Sequence, residues 1–485
     1  MIPRATTSGI LSRLSAYSTL HGTKLLQLQD QISSGIRIRK SSDDPLAFRQ
    51  ITSIQSQLKY LEDSKYVIEE AEGKLNASVS NLTEFQQVVA SAQRLAQEGV
   101  QALSQEERNA LALEAEGLQT RLKDLANARY NGQYLYGGSA TERIPFVYGD
   151  RLLSGRTLEV GYAGSDKPGE SVISASLSVE TLYSGDAIFG AGDRGPTILY
   201  GKSGARTGSG TDTMRGRATL ELRHTATTYL GGSGLAAGTG SAGKDSILGP
   251  SGTHTVTLVD TSGTGASGTI SLNGGQAIAW DSSRTNLEVT GPNGERVYVN
   301  TSAITAGFSG SVNLTANGTL SVDGGATSVN IDFSTNQVVT DSLTGRMVTI
   351  DSSAVHRTGD DYLEFTGTSN AFQALDELIL DLRGGRNVDN SQYADAVSRR
   401  LGELGKIADR VLTAVGLQST SLAGLEQLKN RNEDLQGETQ VRLGDLQDTD
   451  FAQAVIELTS AQMLQQYSFS VASQIMKQSL IDFLR

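Results

Sequence analysis

The chain has 485 residues, a formal net charge of −12 and no cysteine. The negative charge argues against nucleic acid or an anionic membrane surface as a partner, and the lack of cysteine excludes disulfides, a thiol nucleophile and thiolate metal ligands. No stretch approaches about 18 consecutive apolar residues, so we expect no membrane-spanning segment. Residues 1–7 carry one charge, at Arg4, and no apolar segment follows, so we also expect no cleaved signal peptide.

The first predicted element is a helix with an apolar stripe and few charges. The stripe consists of Ile10, Leu11, Leu14, Leu25, Leu28 and Ile32. After this helix, Asp43, Asp44 and Pro45 indicate the start of a second one, because acidic side chains cap helix N-termini and proline is tolerated in the first turn. We expect the second helix to run to about Ala102, which is roughly 85 Å at about 1.5 Å per residue.

An apolar seam runs along the second helix. Its twelve positions follow one another at alternating spacings of three and four, which is typical of a coiled coil. Lys65, Glu72 and Gln86 occupy three of them, and the nine apolar positions are Ile51, Ile54, Leu58, Leu61, Ile68, Leu75, Val79, Leu82 and Val89. A second seam near the other chain end consists of Val397, Leu401, Leu404, Val411 and Val415. Because a seam needs a partner helix, we expect the two helices to pack against each other in an antiparallel rod.

A capping box and a hairpin signal follow the second helix. Ser104 with Glu107 predicts the start of a third helix. Asn131-Gly132 predicts a two-residue hairpin turn, with Tyr134-Leu135-Tyr136 as strand material.

The middle of the chain is rich in glycine, since residues 149–367 hold 37 of the 54 glycines. Asn273-Gly274, Asn293-Gly294 and Asn317-Gly318 each separate two short β-prone runs, which predicts three antiparallel hairpins. Over residues 201–252 the periodicity is lost among Gly, Ser and Thr, and we expect long loops there. These patterns predict a small sandwich or barrel-like β domain.

The helical pattern resumes after the glycine-rich middle. It begins at Ala371, breaks at Gly384-Gly385 and continues over about residues 391–446. An acidic cluster at residues 448–450 then predicts the start of the last helix.

The last helix contains a long segment without charge, from Leu458 to Met476. Its glutamine amides would be costly in lipid, and a solvated helix would carry lysine and glutamate. The remaining interpretation is a helix that is surrounded by protein. We therefore predict that both terminal helices take part in assembly. The alternative is an ordinary intramolecular bundle. The predicted assembly residues are Ile10, Leu14, Leu25, Leu28, Ile32, Val455, Leu458, Leu464, Phe469, Val471, Ile475, Leu480 and Phe483.

Together these patterns predict an α+β fold. We expect an elongated antiparallel helical rod, built from both chain ends like a coiled-coil bundle, with an inserted β-rich outer domain. Residues 1–40 with 448–485 are assigned to terminal helices that form an inner assembly tube. Residues 41–149 with 369–447 are assigned to the rod, and residues 150–368 to the outer domain.

Several local motifs resemble those of the flagellin superfamily of bacterial axial proteins. They are Ile-Ser-Ser-Gly-Ile-Arg-Ile at 32–38, Ser-Asp-Asp at 42–44, Asp-Thr-Asp-Phe at 448–451 and Gln-Ser-Leu-Ile-Asp-Phe-Leu at 478–484. Pro45 and the segments at 131–139 and 371–379 are similar to hook-associated members of the superfamily rather than to filament flagellins. The resemblance covers about residues 1–150 and 369–485, and the middle matches nothing specific.

The resemblance implies a structural, self-assembling part of the bacterial flagellum. Such proteins leave the cell unfolded through the flagellar type III export apparatus, with an export chaperone, and form a ring between hook and filament. The implied partners are further copies of this chain, the first hook-associated protein on the hook side and flagellin on the filament side. The implied location is extracellular, with no cofactor, no enzymatic activity, no nucleic acid and no membrane.

Two other interpretations remain open. A filament flagellin would share the fold but occur in far more copies per flagellum. A secreted adhesin or surface enzyme would carry its activity in the β-rich middle, where a clustered acid pair or a Ser/His/Asp set would support it. None stands out there.

The remaining motifs have structural interpretations. Two G-x-G-x-x-G fragments, at 190–195 and 238–243, are not followed by a predicted helix, as a dinucleotide site requires. No histidine has a partner at metal-ligand spacing. We expect His21 to be a tolerated polar residue of the first helix, and the other three (His224, His254 and His356) to lie on surface loops or strands. Trp280 is predicted to be a core residue.

Overall fold

The computed structural model describes residues 7–102, 104–149, 160–174, 176–384 and 389–483, apart from the side chains of residues 7, 8, 11 and 478–483. The chain folds into two compact units. The terminal unit comprises Met1–Gly73, Ser171–Val179 and Leu422–Arg485, and the central unit comprises Lys74–Glu170 and Glu180–Ser421.

The described residues contain helices at both chain ends and short helices between them. They are α1 (Thr7–Ser34), α2 (Pro45–Gln101), α3 (Gln105–Ala126), α4 (Gly185–Phe189), α5 (Ser241–Lys244), α6 (Ala371–Leu382), α7 (Asn390–Gln447) and α8 (Phe451–Phe483). With the strands given below, they confirm the predicted α+β class.

The predicted caps start the helices. The side chain of Asp44 accepts hydrogen bonds from the backbone N–H groups of Leu46 and Ala47, each at 3.0 Å, and these bonds, led by that of Ala47, hold the pKa of Asp44 below its usual value. Ser104 and Glu107 form the predicted capping box of α3. The boundaries that local capping rules predict are therefore confirmed.

In the terminal unit, the first part of α2 packs against the last part of α7. Their apolar cluster contains Ile38, Ala47, Ile51, Ile54 and Leu443, with Phe48, Leu58 and Leu446 at its edge. Lys65 Nζ lies 2.9 Å from Glu433 Oε1, and Lys429 Nζ lies 3.2 Å from Glu72 Oε2. Residue numbers increase along α2 in the direction in which they decrease along α7. The two helices are therefore antiparallel here, as predicted.

In the central unit, an aromatic core joins distant parts of the chain. Phe85 of α2 stacks on Phe189 of α4 with ring centroids 4.3 Å apart, and Phe372 of α6 lies 4.9 Å from Phe146. The same core contains the seam residues Leu82, Val89, Val397, Leu404 and Val411. Phe189 thus packs in the helical core, although it lies within the residues that the sequence assigns to the outer domain.

The strands lie mainly in the central unit. They are β1 (Arg129–Tyr130), β2 (Gln133–Tyr134), β3 (Phe146–Tyr148), β4 (Val160–Tyr162), β5 (Gly169–Ser174), β6 (Leu177–Leu182), β7 (Thr197–Tyr200), β8 (Arg206–Thr207), β9 (Gly216–Tyr229), β10 (Ala236–Ala237), β11 (Gly249–Asp260), β12 (Ser267–Leu272), β13 (Ile278–Asp281), β14 (Leu287–Thr290), β15 (Arg296–Asn300), β16 (Ser309–Ser321), β17 (Val329–Asn330), β18 (Gln337–Thr340), β19 (Met347–Asp351) and β20 (Gly359–Phe365).

One large antiparallel sheet organises the β-rich region. Its strand order is β13-β12-β11-β16-β9-β20-β7, with β17 beside β16. Two small sheets, β10-β15-β14 and β18-β19-β8, pack against it over two separate apolar cores. Trp280 is only 2% exposed in one of these cores, which confirms its predicted core position. The hairpins at Asn131-Gly132, Asn273-Gly274 and Asn293-Gly294 are also confirmed.

The loops predicted over residues 201–252 are wrong in part, because β9 lies among them. Ala218, Leu220 and Leu222 alternate toward the core and are at most 2% exposed. The residues between them, which include β-branched Thr219, suit a strand that has a neighbouring strand on each side. The high content of Gly, Ser and Thr around β9 concealed this alternation.

The hairpin turn predicted at Asn317-Gly318 is also wrong, because β16 continues through it. The pairing of β16 with β9 shifts there: Asn317 pairs with Ala226 and Gly318 with His224, which leaves Thr225 as the extra residue of a bulge. A Cβ at Gly318 would lie 2.5 Å from the carbonyl oxygen of Arg223. The glycine allows close approach of two strands here, and not a turn.

Two of the histidines expected at the surface are buried. His224 and His254 are 5% and 6% exposed. His224 Nε2 lies 2.8 Å from Thr227 Oγ1, and His254 Nε2 lies 2.7 Å from the carbonyl oxygen of His356. These hydrogen bonds compensate for the burial of the two imidazole rings. The partners are brought close by strand pairing, which no local sequence pattern predicts.

Candidate assembly surface

The two terminal helices pack against each other along a narrow apolar contact. Leu25 and Leu28 of α1 form a small cluster with Ala461 of α8, and Leu458 packs against it. Beside this cluster, Lys24 Nζ lies 3.3 Å from Glu457 Oε2, with both side chains nearly half exposed. An ion pair so open to solvent adds little stability, so the contact depends on a few apolar side chains.

The turn after α1 is hydrogen-bonded to the corner between α7 and α8. Gly35 ends α1 with a φ of +72°, a backbone conformation that favours glycine. Its carbonyl accepts a hydrogen bond from Thr449 N at 2.8 Å, and Arg37 N donates to Gln447 O at 2.7 Å. Two motifs that carry the family resemblance, at 32–38 and 448–451, therefore meet in space.

The predicted assembly residues occupy three environments. Leu25 and Leu28 are buried against α8 of the same chain, and Leu14, Ile32, Leu458 and Ile475 are half-buried. Those left exposed are Ile10, Val455, Leu464, Phe469 and Val471. The side chains of Leu480 and Phe483 lie outside the described residues.

Sequence reasoning missed several exposed apolar residues on the same two helices. They are Tyr17, Leu20, Leu26, Ile456, Met463, Tyr467 and Met476, each at least 57% exposed. On the first helix one stripe was chosen, and Leu20 and Leu26 lie on other faces; on the last helix only some of the apolar residues were chosen. The signal that could have found them is the scarcity of charge all around both helices, since a helix that is apolar on several faces is covered on several faces.

The predicted rod seam residues all face protein. Those buried are Ile51, Ile54, Leu61, Ile68, Leu75, Leu82, Val89, Val397, Leu404 and Val411, and those half-buried are Leu58, Val79, Leu401 and Val415. Ile51 and Ile54 belong to the cluster of the terminal unit, and Leu82 and Val411 to the core of the central unit.

Features typical of other functions are weak in the described part of the chain. No helix there is long and apolar enough to cross a membrane, and no three His, Asp or Glu residues there are arranged to hold a metal ion. The G-x-G-x-x-G fragment at 190–195 leads into β7. The fragment at 238–243 overlaps only α5, in which Ala242 and Gly243 have non-helical backbone angles.

Family models match both helical ends of the chain. The bacterial flagellin N-terminal helical region matches residues 11–141, and the bacterial flagellin C-terminal helical region matches residues 398–484. These matches contain most of α1 with α2 and α3 at one end, and most of α7 with α8 at the other.

Curated relatives match over part of their length. Flagellar hook-associated protein 3 of Salmonella typhimurium is 28% identical over 169 residues, which are 34% of this chain and 50% of that protein. The protein of the same name from Escherichia coli is 30% identical over 166 residues, which are 33% of this chain and 48% of that protein. The chain thus spans about half the length of the curated relatives it matches.

Solved structures of low identity are also similar. The flagellar junction protein FlgL from Legionella pneumophila is 16% identical, with 82% of this chain and 99% of that chain covered and a TM-score of 0.40. FlgL from Xanthomonas campestris is 14% identical, with 77% and 95% covered and a TM-score of 0.37. The two matched regions lie at the chain ends that pair as α1 and α8, and both are similar to bacterial flagellin helical regions.

Proposed function

We propose that the chain is a structural component of the bacterial flagellum that forms the junction ring between hook and filament. The observation that carries this proposal is the α1–α8 pair, whose large apolar side chains remain exposed after the two helices have packed together. Such faces are costly in water, since full burial of one large apolar side chain is worth about 1.5–3 kcal/mol. Further copies of the chain would cover them.

The same proposal assigns the partners and the location. The chain would contact its own copies in the ring, the first hook-associated protein on one side and filament flagellin on the other. It would reach the outside of the cell through the flagellar type III export apparatus, with an export chaperone. The named relatives are flagellar proteins, which supports a structural role without enzymatic activity or a cofactor.

Within this proposal, each part of the chain has its own role. Residues 1–40 with 448–485 form the inner assembly tube, residues 41–149 with 369–447 form the rod, and residues 150–368 form the outer domain. A filament flagellin and a secreted adhesin or surface enzyme remain the alternatives, and the name shared by the two curated relatives favours the junction.

Leu464→Asp tests the assembly surface. Leu464 is 50% exposed on α8, so the aspartate is solvated in the monomer but costs several kcal/mol when neighbouring helices cover it. We expect the variant to be exported and soluble, but to leave flagella that stop at the hook in electron micrographs of a strain without the wild-type protein. Leu343→Asp is the matched control, because Leu343 is 60% exposed in the turn between β18 and β19. Normal filaments with Leu464→Asp would contradict the proposal.

Immunogold labelling separates the junction from the filament. If the chain forms the junction ring, gold particles mark one band where hook and filament meet. Label along the whole filament would instead identify a filament flagellin, and label over the cell surface would favour an adhesin.

A further inference from the structure

Four Asn-Gly pairs occur in the chain, and their asparagines are Asn131, Asn273, Asn293 and Asn317. Asparagine is a chemically labile residue. The backbone nitrogen of a following glycine, which no side chain shields, can attack the carbonyl carbon of the asparagine side chain. Because the reacting dipeptide is the same at all four positions, the fold decides which pair reacts.

Asn131 and Gly132 form the tip of the β1–β2 hairpin. Their φ angles are +49° and +83°, as a two-residue hairpin turn requires, and the flanking residues Tyr130 and Gln133 pair with each other. Both tip residues are exposed, and a Cβ at Gly132 would meet no atom within 4 Å. The tip therefore has room for a ring between the asparagine side chain and the glycine nitrogen.

The reacting groups of this pair are not held in place. In the part of the chain that the structure describes, neither the side-chain amide of Asn131 nor the backbone nitrogen of Gly132 has a hydrogen-bond partner. The side chain can thus rotate until its Cγ faces this nitrogen. Since both groups belong to adjacent residues, the attack is intramolecular and needs no encounter of two molecules.

Asn273 provides a matched contrast within the same chain. Asn273 and Gly274 have φ angles of +47° and +71°, so this turn has a similar backbone. Here, however, the side chain makes three hydrogen bonds: Oδ1 accepts from Thr255 N at 3.0 Å, and Nδ2 donates to His254 Nδ1 and Glu295 Oε1, each at 2.9 Å. Ring closure at Asn273 would break these bonds, and their loss raises the barrier.

The other two pairs are held through the backbone. Gly294 N, the attacking atom after Asn293, donates a hydrogen bond to Gly291 O at 3.2 Å. Asn317 and Gly318 lie inside β16, which is flanked by β11 and β9. The nitrogen of Gly318 cannot turn toward the asparagine side chain without disruption of the sheet.

We propose that Asn131 is a site of spontaneous deamidation in the folded chain, and that its isoaspartate product opens the β1–β2 hairpin. A base removes the proton of Gly132 N–H, and the nitrogen attacks Cγ of Asn131. The bond from Cγ to Nδ2 breaks, and the nitrogen leaves as ammonia with the proton. Water then adds to either carbonyl group of the ring and opens it, which leaves aspartate or isoaspartate at position 131. One water is consumed and one ammonia is released, without oxidation or reduction.

The two products differ in their effect on the hairpin. In isoaspartate the backbone runs through the side-chain CH₂ group, so the two-residue turn gains one backbone atom. Such a turn no longer fits the pairing of Arg129 with Tyr134, in which the guanidinium lies 4.1 Å from the centre of the tyrosine ring. Aspartate keeps the normal backbone, and Asp-Gly suits the same turn. The extra backbone atom, and not the new charge, therefore opens the hairpin.

Peptide mapping by mass spectrometry tests the site, after incubation of the native chain at mildly alkaline pH. Trypsin places Asn131 in the peptide 130–143 and Asn273 in the peptide 245–284, and neither peptide contains another asparagine. We expect the mass gain from exchange of NH₂ for OH to arise at least about tenfold faster at Asn131, which is a barrier difference of about 1.4 kcal/mol. In urea, where the fold is lost, the two rates should be similar. Equal rates in the native chain, or the same difference in urea, would overturn the proposal.

Hydrogen exchange tests the effect on the hairpin, with freshly prepared Asn131→Asp as the matched control. This variant carries the new charge without the extra backbone atom. Leu135 N donates to Ala128 O at 3.0 Å beside the hairpin. In the isolated isoaspartate form, protection of the Leu135 amide should fall at least about tenfold, whereas Asn131→Asp should keep the protection of wild type. Unchanged protection in the isoaspartate form, or an equal fall in Asn131→Asp, would contradict the proposed opening.

Discussion

The aromatic core of the central unit and the α1–α8 pair are both built from long helices, but they differ in how much they bury. The central core joins α2, α4, α6 and α7 around Phe85, Phe189 and Phe372, all fully buried. Among the described side chains, the buried members of the α1–α8 cluster are Leu25, Leu28 and Ala461. Helix length alone therefore does not stabilise a region. The stability of a region depends on the residues that pack against its helices.

The difference shows where this chain buries its apolar residues by itself and where it leaves them exposed. The central core satisfies its apolar residues within one chain. On α1 and α8 most large apolar residues stay exposed, and charge is scarce on both. Under the proposed function, the first region serves folding and the second serves association.

Two deletions of the β-rich region give the largest expected contrast. Gly195 N donates to Thr366 O at 2.8 Å, so a short Gly/Ser linker can replace residues 197–365. That variant keeps Phe189, and we expect it to fold and to unfold cooperatively in urea. Replacement of residues 150–368 removes Phe189 and opens the aromatic core, so we expect no cooperative transition. Equal transitions for both would show that Phe189 does not belong to the essential core.

Phe372→Ala should cause the largest loss among point variants. Phe372 is fully buried and contacts the rings of Phe85, Phe146 and Phe189, so we expect the free energy of unfolding to fall by about 3–5 kcal/mol. Phe469→Ala is the control, because Phe469 is 58% exposed and should change this free energy by less than about 0.5 kcal/mol. Urea unfolding followed by circular dichroism measures both. Similar losses of unfolding free energy in both variants would contradict the difference between the two regions.

Leu28→Ala tests whether the α1–α8 pair is held by its narrow cluster. Loss of this buried leucine should cost about 2 kcal/mol locally, which lowers amide protection in α1 about thirtyfold. The urea transition of the central unit should stay unchanged, because Leu28 contributes nothing to its core. Hydrogen exchange of the verified monomer, resolved by residue, is the measurement. A shift of the central transition would show that the two regions unfold together.

Ser104→Ala has the smallest expected effect. The capping box of α3 loses one side-chain bond, so the free energy of unfolding should fall by about 1 kcal/mol. Ser80→Ala serves as its control, since Ser80 is exposed within α2 and alanine favours a helix slightly. Thermal unfolding measures both. A larger loss at Ser80 than at Ser104 would exclude the cap as the cause.

Local rules suffice for the parts of this protein that are specified by neighbouring residues. Caps at Asp44 and Ser104 and three Asn-Gly hairpins are confirmed because their physical causes lie within a few residues. The coiled-coil seams are equally readable, since their spacing is a local periodicity. The uncharged segment from Leu458 to Met476 is equally readable, although which faces of the terminal helices remain exposed could not be predicted from it.

Tertiary structure decided the rest, because it depends on residues far apart in the chain. Phe189 packs on Phe85 across about a hundred intervening residues, and Gly318 forms a bulge only because β9 lies beside it. Buried Arg400 of α7 pairs with Glu364 of β20 and Glu377 of α6, which share no sequence motif. The sequence by itself thus determined the helices, the turns and the apolar faces, whereas long-range pairing decided which of those faces are covered and which buried charges meet.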